Sequence, residues 1–186
     1  MRRAALLLAA LSPGCSGPQP AAPPDPAIAA CEAATAFAEQ EIGRRGTELV
    51  FADEPGSMGI PPGPARDFDR FAFYDPAGGK KISPPPAALM AALHAIESKS
   101  ALSGCPSLRA MLDARHIGHG PRAVARAKDK DWPVISLSMP AAGESEAVLA
   151  KSSASGPLYS DGDLYYLRRD AGGKWRVIGI SPLWIT

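Results

Sequence analysis

The sequence has little net charge, few aromatic side chains and few cysteines. Its 186 residues include 20 Lys and Arg against 19 Asp and Glu, 6% aromatic residues and three cysteines. Nucleic-acid binding needs a strongly basic surface, so this charge balance argues against a nucleic-acid partner. Hydrophobic residues make up 46% of the chain, which is ordinary for a globular protein and enough to bury a core.

The motifs of common enzyme and cofactor classes are also missing. The chain has no P-loop and no GxGxxG fingerprint, whose glycines nucleotide binding needs for close approach to phosphates. It has no HExxH sequence and no CxxC pair, which are common zinc-binding patterns, and no S-x-x-K acylating serine. We therefore expect no cofactor and no metal, and the motifs identify no catalytic residue.

Apolar runs are short, and the clearest one lies at the N-terminus. Arg2 and Arg3 precede an apolar run at 4–11, and small residues and Pro13 follow it. This is the pattern of a secretory signal peptide, and the run is too short to span a bilayer. We expect residues 1–14 to be removed on export and no transmembrane helix in the mature chain.

Cys15 follows this run directly after the small residue Gly14. The arrangement resembles the lipobox of bacterial lipoproteins, in which the cysteine becomes the first residue and is acylated. Ser12 stands where that family prefers leucine, so ordinary signal cleavage nearby is the alternative. The resemblance implies a lipid on Cys15 and a place in the periplasm or outer membrane. The prolines of 15–25 then indicate a stiff tether before one folded domain at 26–186.

Two cysteines, Cys31 and Cys105, remain in that domain. In an exported protein such a pair indicates one disulfide, which would stabilise the fold by roughly 4 kcal/mol in the chain-entropy model. Two buried free thiols are the alternative. Neither cysteine has CxxC spacing, so we expect a structural role rather than a redox role.

The order of helical and strand patterns predicts an α+β fold. Asp25 can cap a helix and Pro26 suits its first turn. The last third of the chain holds four short strand patterns joined by turns, typical of an antiparallel meander. N-terminal helices are therefore expected to pack on a C-terminal antiparallel β-meander, with Pro182 at a strand end or edge. The predicted buried stripe of the first helix is Ile28, Cys31, Thr35, Ala38 and Ile42. The predicted helices are 26–43, one opening at Ser83, and 106–115, and the predicted strands are 48–51, 68–74, 80–83, 134–139, 146–153, 164–169 and 174–180.

The last two of these strands form a hairpin around the turn at 170–173. This hairpin resembles the closing strands of some small cone-shaped NTF2-like domains. The resemblance implies a curved sheet with a concave face, and it identifies no site. We expect the aromatic residues of this region to pack in the core, with a pocket between sheet and helices as the alternative; they are Tyr159, Tyr165, Tyr166, Trp175 and Trp184. The residues 161–163 are expected to form a turn rather than a calcium loop.

His116 and His119 form the one local cluster with possible chemistry. Together with Asp113 they could ligate a metal ion. The alternative, which the neighbouring glycines favour, is a helix C-terminus where His116 meets the helix dipole and Gly118 caps the helix.

A basic stretch follows at 115–130. It is a candidate surface for anionic lipid headgroups, polysaccharide phosphate or an acidic partner, and a solvated helix or loop is the alternative. The candidate binding residues are therefore His116, His119, Arg122 and Arg126.

These patterns favour a non-catalytic binding or assembly module of the bacterial envelope, with an envelope protein or a small molecule as partner. One alternative is a small periplasmic hydrolase or isomerase that uses His116 or His119 as acid or base. Another is a small-molecule carrier with its pocket in the concave sheet.

Overall fold

The computed structural model describes residues 25–55, 71–96, 98–156 and 159–185, and the fold is α+β, as the sequence predicts. The predicted signal peptide, Cys15 and nearly all of the tether lie outside the described residues. In the part described, no helix has both the length and the apolar character needed to cross a membrane. The helices are α1 (Pro26–Arg45), α2 (Ala87–Ile96), α3 (Ala101–Gly104), α4 (Pro106–Ala114) and α5 (Pro121–Lys128). The strands are β1 (Val50–Phe51), β2 (Phe73–Tyr74), β3 (Lys81–Ile82), β4 (Gly118–His119), β5 (Val134–Leu137), β6 (Ala141–Ala142), β7 (Glu146–Ser155), β8 (Tyr159–Arg169) and β9 (Trp175–Ile185).

The strands form one mixed sheet in the order β3-β2-β9-β8-β7-β5-β1-β4, and β6 pairs with β7. Strands β5, β7, β8 and β9 are successive antiparallel neighbours, which confirms the predicted meander. Short strands extend it at both sides: β1 runs parallel to both β4 and β5, and β2 pairs antiparallel with β9 and β3.

The two closing strands are longer than predicted, and this corrects two expectations. Asp161 and Asp163 lie within β8 and not in a turn, because the facing residues of β7 continue the ladder beyond the hydrophobic alternation. Pro182 lies inside β9 opposite Asp163, where the pairing of β8 and β9 shifts register between Gly162 and Asp163. A strand tolerates proline at such an irregularity because a regular ladder bond is not required there.

Helix α1 covers what we call the first face of the sheet. Asp25 accepts a hydrogen bond from the Ala27 amide at 2.9 Å, and Pro26 occupies the first turn, as the sequence predicts. The predicted buried stripe is only partly correct, since Ile28 is 57% exposed. The buried side of α1 is rich in alanine, which lets the helix approach the sheet closely, and its Phe37 ring meets Tyr165 edge-on at 4.6 Å. Its buried residues are Ala29, Ala30, Ala33, Ala34, Phe37, Ala38, Glu41 and Ile42.

Helix α2 packs on the opposite side, the second face of the sheet. Met90 and Leu93 are buried there against Val148, Leu164 and other residues of the central strands. Nearer to α5, this face of β5 and β7 presents Val134, Ser136, Ser152 and Ala154, which line cavities instead of packing against α2.

Candidate functional site

The four residues proposed from the sequence as a binding site line one pocket. His116, His119, Arg122 and Arg126 surround a space of about 530 Å³ beside β4 and α5. Trp132, from the segment after α5, and Thr47, from the segment before β1, complete part of its wall. We refer to this space as the basic pocket. Trp132 and Thr47 carry no local sequence signal for a site, because only the fold places them beside the histidines.

His116 reaches the pocket from a strained helix end. After α4, the Ile117 amide donates to the Leu112 carbonyl at 2.9 Å and the His116 amide donates to the Asp113 carbonyl at 3.0 Å. These two bonds define a Schellman motif, whose left-handed position glycine usually occupies. Here His116 takes that position with φ 56°, and Ile117 is buried behind it. The prediction that Gly118 caps this helix is therefore wrong.

Gly118 lies instead in β4. Glycine is required there because neighbouring atoms leave no room for a side chain, and not because of the backbone conformation. It pairs with Val50 of β1. A Cβ atom at this position would lie 3.1 Å from the Cβ of Ala123 and 3.3 Å from Cγ2 of Val50. The missing side chain lets α5 sit tightly against the sheet edge, which brings the arginines of α5 beside His119.

His119 and Asp113 are hydrogen-bonded on the rim of the pocket. Nε2 of His119 lies 2.9 Å from Oδ1 of Asp113, and Asp113 is 72% exposed. The carboxylate fixes the orientation of the imidazole ring. Among the described residues, no three His, Cys, Asp or Glu side chains are grouped closely enough to hold a metal ion.

Arg122 and Arg126 supply the uncompensated charge of the pocket. They lie four residues apart on α5 and are both exposed. Within the described ranges neither guanidinium has a carboxylate at ion-pair distance, whereas Arg115 pairs with Glu39 at 3.0 Å. Asp113 is the acidic residue that lines the pocket. The basic pocket therefore has a net positive charge and unused hydrogen-bond donors.

The cysteines of the domain are joined. Cys31 of α1 and Cys105, the residue before α4, form a disulfide with Cα atoms 5.2 Å apart. The bond ties α1 to the beginning of α4, the helix that precedes His116.

A buried charge cluster on the first face was not predicted from the sequence. Nζ of Lys151, a side chain 2% exposed, lies 3.3 Å from Asp161, 3.4 Å from Asp163 and 3.3 Å from the Tyr165 hydroxyl. Burial raises the pKa of Asp163, and it also raises the pKa of Tyr165 together with the nearby Asp163 charge. In the sequence, Lys151 stands two residues after Leu149 and therefore points to the same buried face of the strand. A lysine is not expected at such a position, so the pattern gives no sign of the cluster.

The aromatic residues near the closing hairpin divide between core and surface. Tyr165, Tyr166 and Trp175 are buried, as expected, and Tyr159 is 51% exposed. Trp184 does not join the core and instead lines a groove on the second face.

Comparison with protein-family models, with curated proteins and with solved structures found no match for this chain.

Proposed function

We propose that this protein is an exported module of the bacterial cell envelope, anchored by a lipid on Cys15, which binds an anionic group in the basic pocket. The support for export and anchoring is the N-terminal pattern of the sequence. The support for anion binding is one observation: Arg122 and Arg126 line a concave site with His116 and His119 and have no ion-pair partner in the described chain. Guanidinium groups with free donors suit phosphate and carboxylate groups in particular.

Binding of phosphate-bearing probes tests this proposal. The mature chain with Cys15→Ser, which removes the acyl contribution, is titrated with inorganic pyrophosphate and with phosphatidylglycerol vesicles. Each lost charge-assisted hydrogen bond is worth about 1.5 to 3 kcal/mol, so Arg122→Gln with Arg126→Gln should weaken binding at least tenfold. Arg109→Gln is the matched control, since Arg109 is exposed on α4 and does not line the pocket.

The two probes separate the sources of the phosphate group. Binding to pyrophosphate alone indicates a soluble anion, and binding to vesicles alone indicates a lipid headgroup. If the unsubstituted pocket binds neither probe nor a carboxylate such as citrate, the anion-binding proposal is wrong.

The anchor has its own test, the intact mass of the protein from a bacterial envelope fraction. We expect an acylated chain that begins at Cys15 and gains two hydrogen atoms when a reductant opens the disulfide. An unacylated mature chain would remove the lipid anchor from the proposal and leave the pocket unaffected.

The His119–Asp113 pair favours a second candidate function, a small hydrolase. The carboxylate orients the imidazole as it does in many acid–base sites. Turnover of p-nitrophenyl phosphate or p-nitrophenyl acetate that His119→Ala abolishes and Asp113→Asn reduces would establish it. Anion binding without turnover would leave the binding module as the function.

A further inference from the structure

A second concave surface lies on the other side of α5 from the basic pocket. A cavity of about 720 Å³ separates α5 from β5 on the second face of the sheet, and a shallower one of about 340 Å³ adjoins it. Val134, Ser136 and Ala154 line both, so the two spaces form one continuous groove. We call it the serine groove.

Helix α5 faces this groove with a different side from the one that carries its arginines. Pro121, Val124, Ala125 and Lys128 line the groove at spacings of three and four residues, whereas Arg122 and Arg126 line the basic pocket. Residues at that spacing share one helix face, so α5 is a two-sided wall. Trp132, at the end of this wall, lines both spaces.

Trp184 forms an aromatic surface in the shallower part of the groove. It pairs with Gly162 of β8, and its indole lies directly over that glycine. A Cβ at Gly162 would lie 2.6 Å from Cε2 of Trp184, so only glycine leaves room for the ring in this position. The groove therefore has an indole in each of its two parts, Trp132 in the deeper one and Trp184 in the shallower one.

Serine hydroxyl groups line the groove between these two aromatic side chains. Ser136 faces Ser152 across β5 and β7, and Ser152 in turn faces Gly162 beneath Trp184. In the described part of the chain, the hydroxyls of Ser136 and Ser152 have no hydrogen-bond partner. An apolar ligand would cover these hydroxyls without satisfying them, at a cost in free energy.

The groove has few charged residues, and one of them already has hydrogen-bond partners. Asp53, Glu54 and Lys128 are its charged lining residues. Asp53 already accepts hydrogen bonds from Ser103 and from Ser100. This surface therefore lacks the unpaired arginines that characterise the basic pocket.

We propose that the serine groove binds a neutral oligosaccharide. A sugar ring presents an apolar C–H face that stacks on an indole, together with hydroxyls that exchange hydrogen bonds with serines. This ligand class satisfies both features of the groove, whereas a hydrocarbon satisfies only the indoles and a small anion satisfies only the hydroxyls. The inference is independent of anion binding in the basic pocket.

Tryptophan fluorescence of the mature chain tests the inference. The chain has three tryptophans, and Trp175 is only 4% exposed, so changes on titration report on Trp132 and Trp184. The probes are maltotetraose, cellotetraose and the β-1,4-linked tetramer of N-acetylglucosamine. We expect saturable binding of at least one, weakened tenfold or more by Trp184→Ala and by Ser152→Val. Ser152→Val replaces the hydroxyl by two methyl groups in a residue type that strands favour, so it remains informative if Trp184→Ala unfolds.

Two controls distinguish this groove from other surfaces. Tyr74→Ala removes an exposed aromatic residue from β2, outside the groove, and should leave binding unchanged. Arg122→Gln with Arg126→Gln should also leave it unchanged, even if anion binding is lost. The inference is overturned if none of the three tetramers binds by fluorescence or calorimetry, if Ser152→Val binds as tightly as the unsubstituted chain, or if the arginine substitutions abolish sugar binding.

Discussion

At the scale of single residues, several residues occupy positions that their residue types disfavour. His116 occupies a left-handed backbone position, and Lys151 and Glu41 are charged groups with 2% and 5% exposure. The two charges are compensated, Lys151 by Asp161 and Asp163 and Glu41 by arginines of its own helix. The left-handed backbone of His116 is held by the two hydrogen bonds that end α4, and this conformation places its side chain in the basic pocket.

His116→Gly should stabilise the fold. Glycine adopts positive φ without the Cβ penalty of an L-residue, and the gain net of glycine's greater unfolded-state entropy is about 0.5 to 1 kcal/mol. Urea denaturation measures the change in the free energy of unfolding. His116→Ala retains a Cβ and should give no such gain. Equal stability of the glycine and alanine variants would show that the left-handed position carries no strain.

Glu146→Gln should produce a pH-dependent loss of stability. The Tyr166 hydroxyl, and with it Arg168, lowers the pKa of Glu146 below 4.5 against the opposing effect of burial. The contribution of Glu146 is therefore complete above pH 4.5 and lost as the pH falls through its folded-state pKa. Because Arg168 is half exposed, we expect a loss of about 1 kcal/mol at most at pH 7.

The measurement is the free energy of unfolding of both proteins at pH 7 and in a series below pH 4.5. Glu144→Gln is the matched control, since Glu144 is exposed just before β7 begins at Glu146. A difference between Glu146→Gln and the unsubstituted protein that persists unchanged at the most acidic pH would contradict the assignment.

At the scale of elements, close approach decides where the functional surfaces form. Gly118 lets α5 approach β1, and Gly162 lets the Trp184 indole lie on β8. Helix α5 then divides two spaces of different chemistry, because its arginines and its apolar residues occupy different sides. The disulfide acts on the first face in the same way, by holding α1 to the start of α4.

Gly162→Ala should displace Trp184 and destabilise the closing strands. The added methyl group overlaps the indole, and overpacking of this kind costs about 1 to 3 kcal/mol. Thermal unfolding gives the loss, and a red shift of tryptophan emission reports the exposed ring. Gly143→Ala is the control, because its nearest neighbour to an added Cβ is the Glu146 carbonyl oxygen at 3.8 Å. A Gly162→Ala protein with unchanged emission and stability would place the ring elsewhere.

Replacing both Cys31 and Cys105 by serine should lower the free energy of unfolding by about 2 to 4 kcal/mol. The disulfide closes a long loop, with 74 residues of sequence separation, so most of the effect is expected through the unfolded chain. Denaturation with and without reductant measures it, and the serine variant should no longer respond to reductant. A response that persists in the variant would assign the redox sensitivity to Cys15.

At the scale of the whole molecule, one sheet serves two purposes. Its centre, β7 and β8, pairs continuously from Glu146 to Ser155 and carries buried side chains on both faces. Its margin near β1 and β4 consists of two-residue strands and carries the basic pocket, whereas the serine groove extends from this margin onto β7, β8 and β9. Changes in the basic pocket should therefore leave the stable centre unaffected, whereas changes in the serine groove also act on the central strands.

Hydrogen exchange should reproduce this division. We expect the slowest amide exchange in the central parts of β7 and β8, and exchange faster by orders of magnitude in β3 and β4. Mass spectrometry of peptic peptides measures it without any substitution. Protection of 118–119 equal to that of 147–150 would contradict a stable centre with a labile margin.

A feature of this fold is predictable from the sequence when the residues that stabilise it are close together in the chain. The capped start of α1 and the antiparallel hairpins depend on neighbouring residues, and both are predicted correctly. His116, His119, Arg122 and Arg126 lie within eleven residues of each other, so their proximity also had a local signal. The parallel strand β4 and the buried Lys151 had none, because each is stabilised by partners in other strands.

The sequence by itself determined the fold class, the meander, the cysteine pair as a candidate disulfide and the expectation of export. These follow from local patterns, since capping, alternation and turn residues act over a few positions. The tertiary structure alone decided that His116 and not Gly118 turns the chain after α4, and that 161–163 continues a strand. It also brought residues 52–54, α5, Ser152 and Trp184 together in one groove. No local pattern encodes such a surface, because it exists only once strands distant in sequence have paired in register.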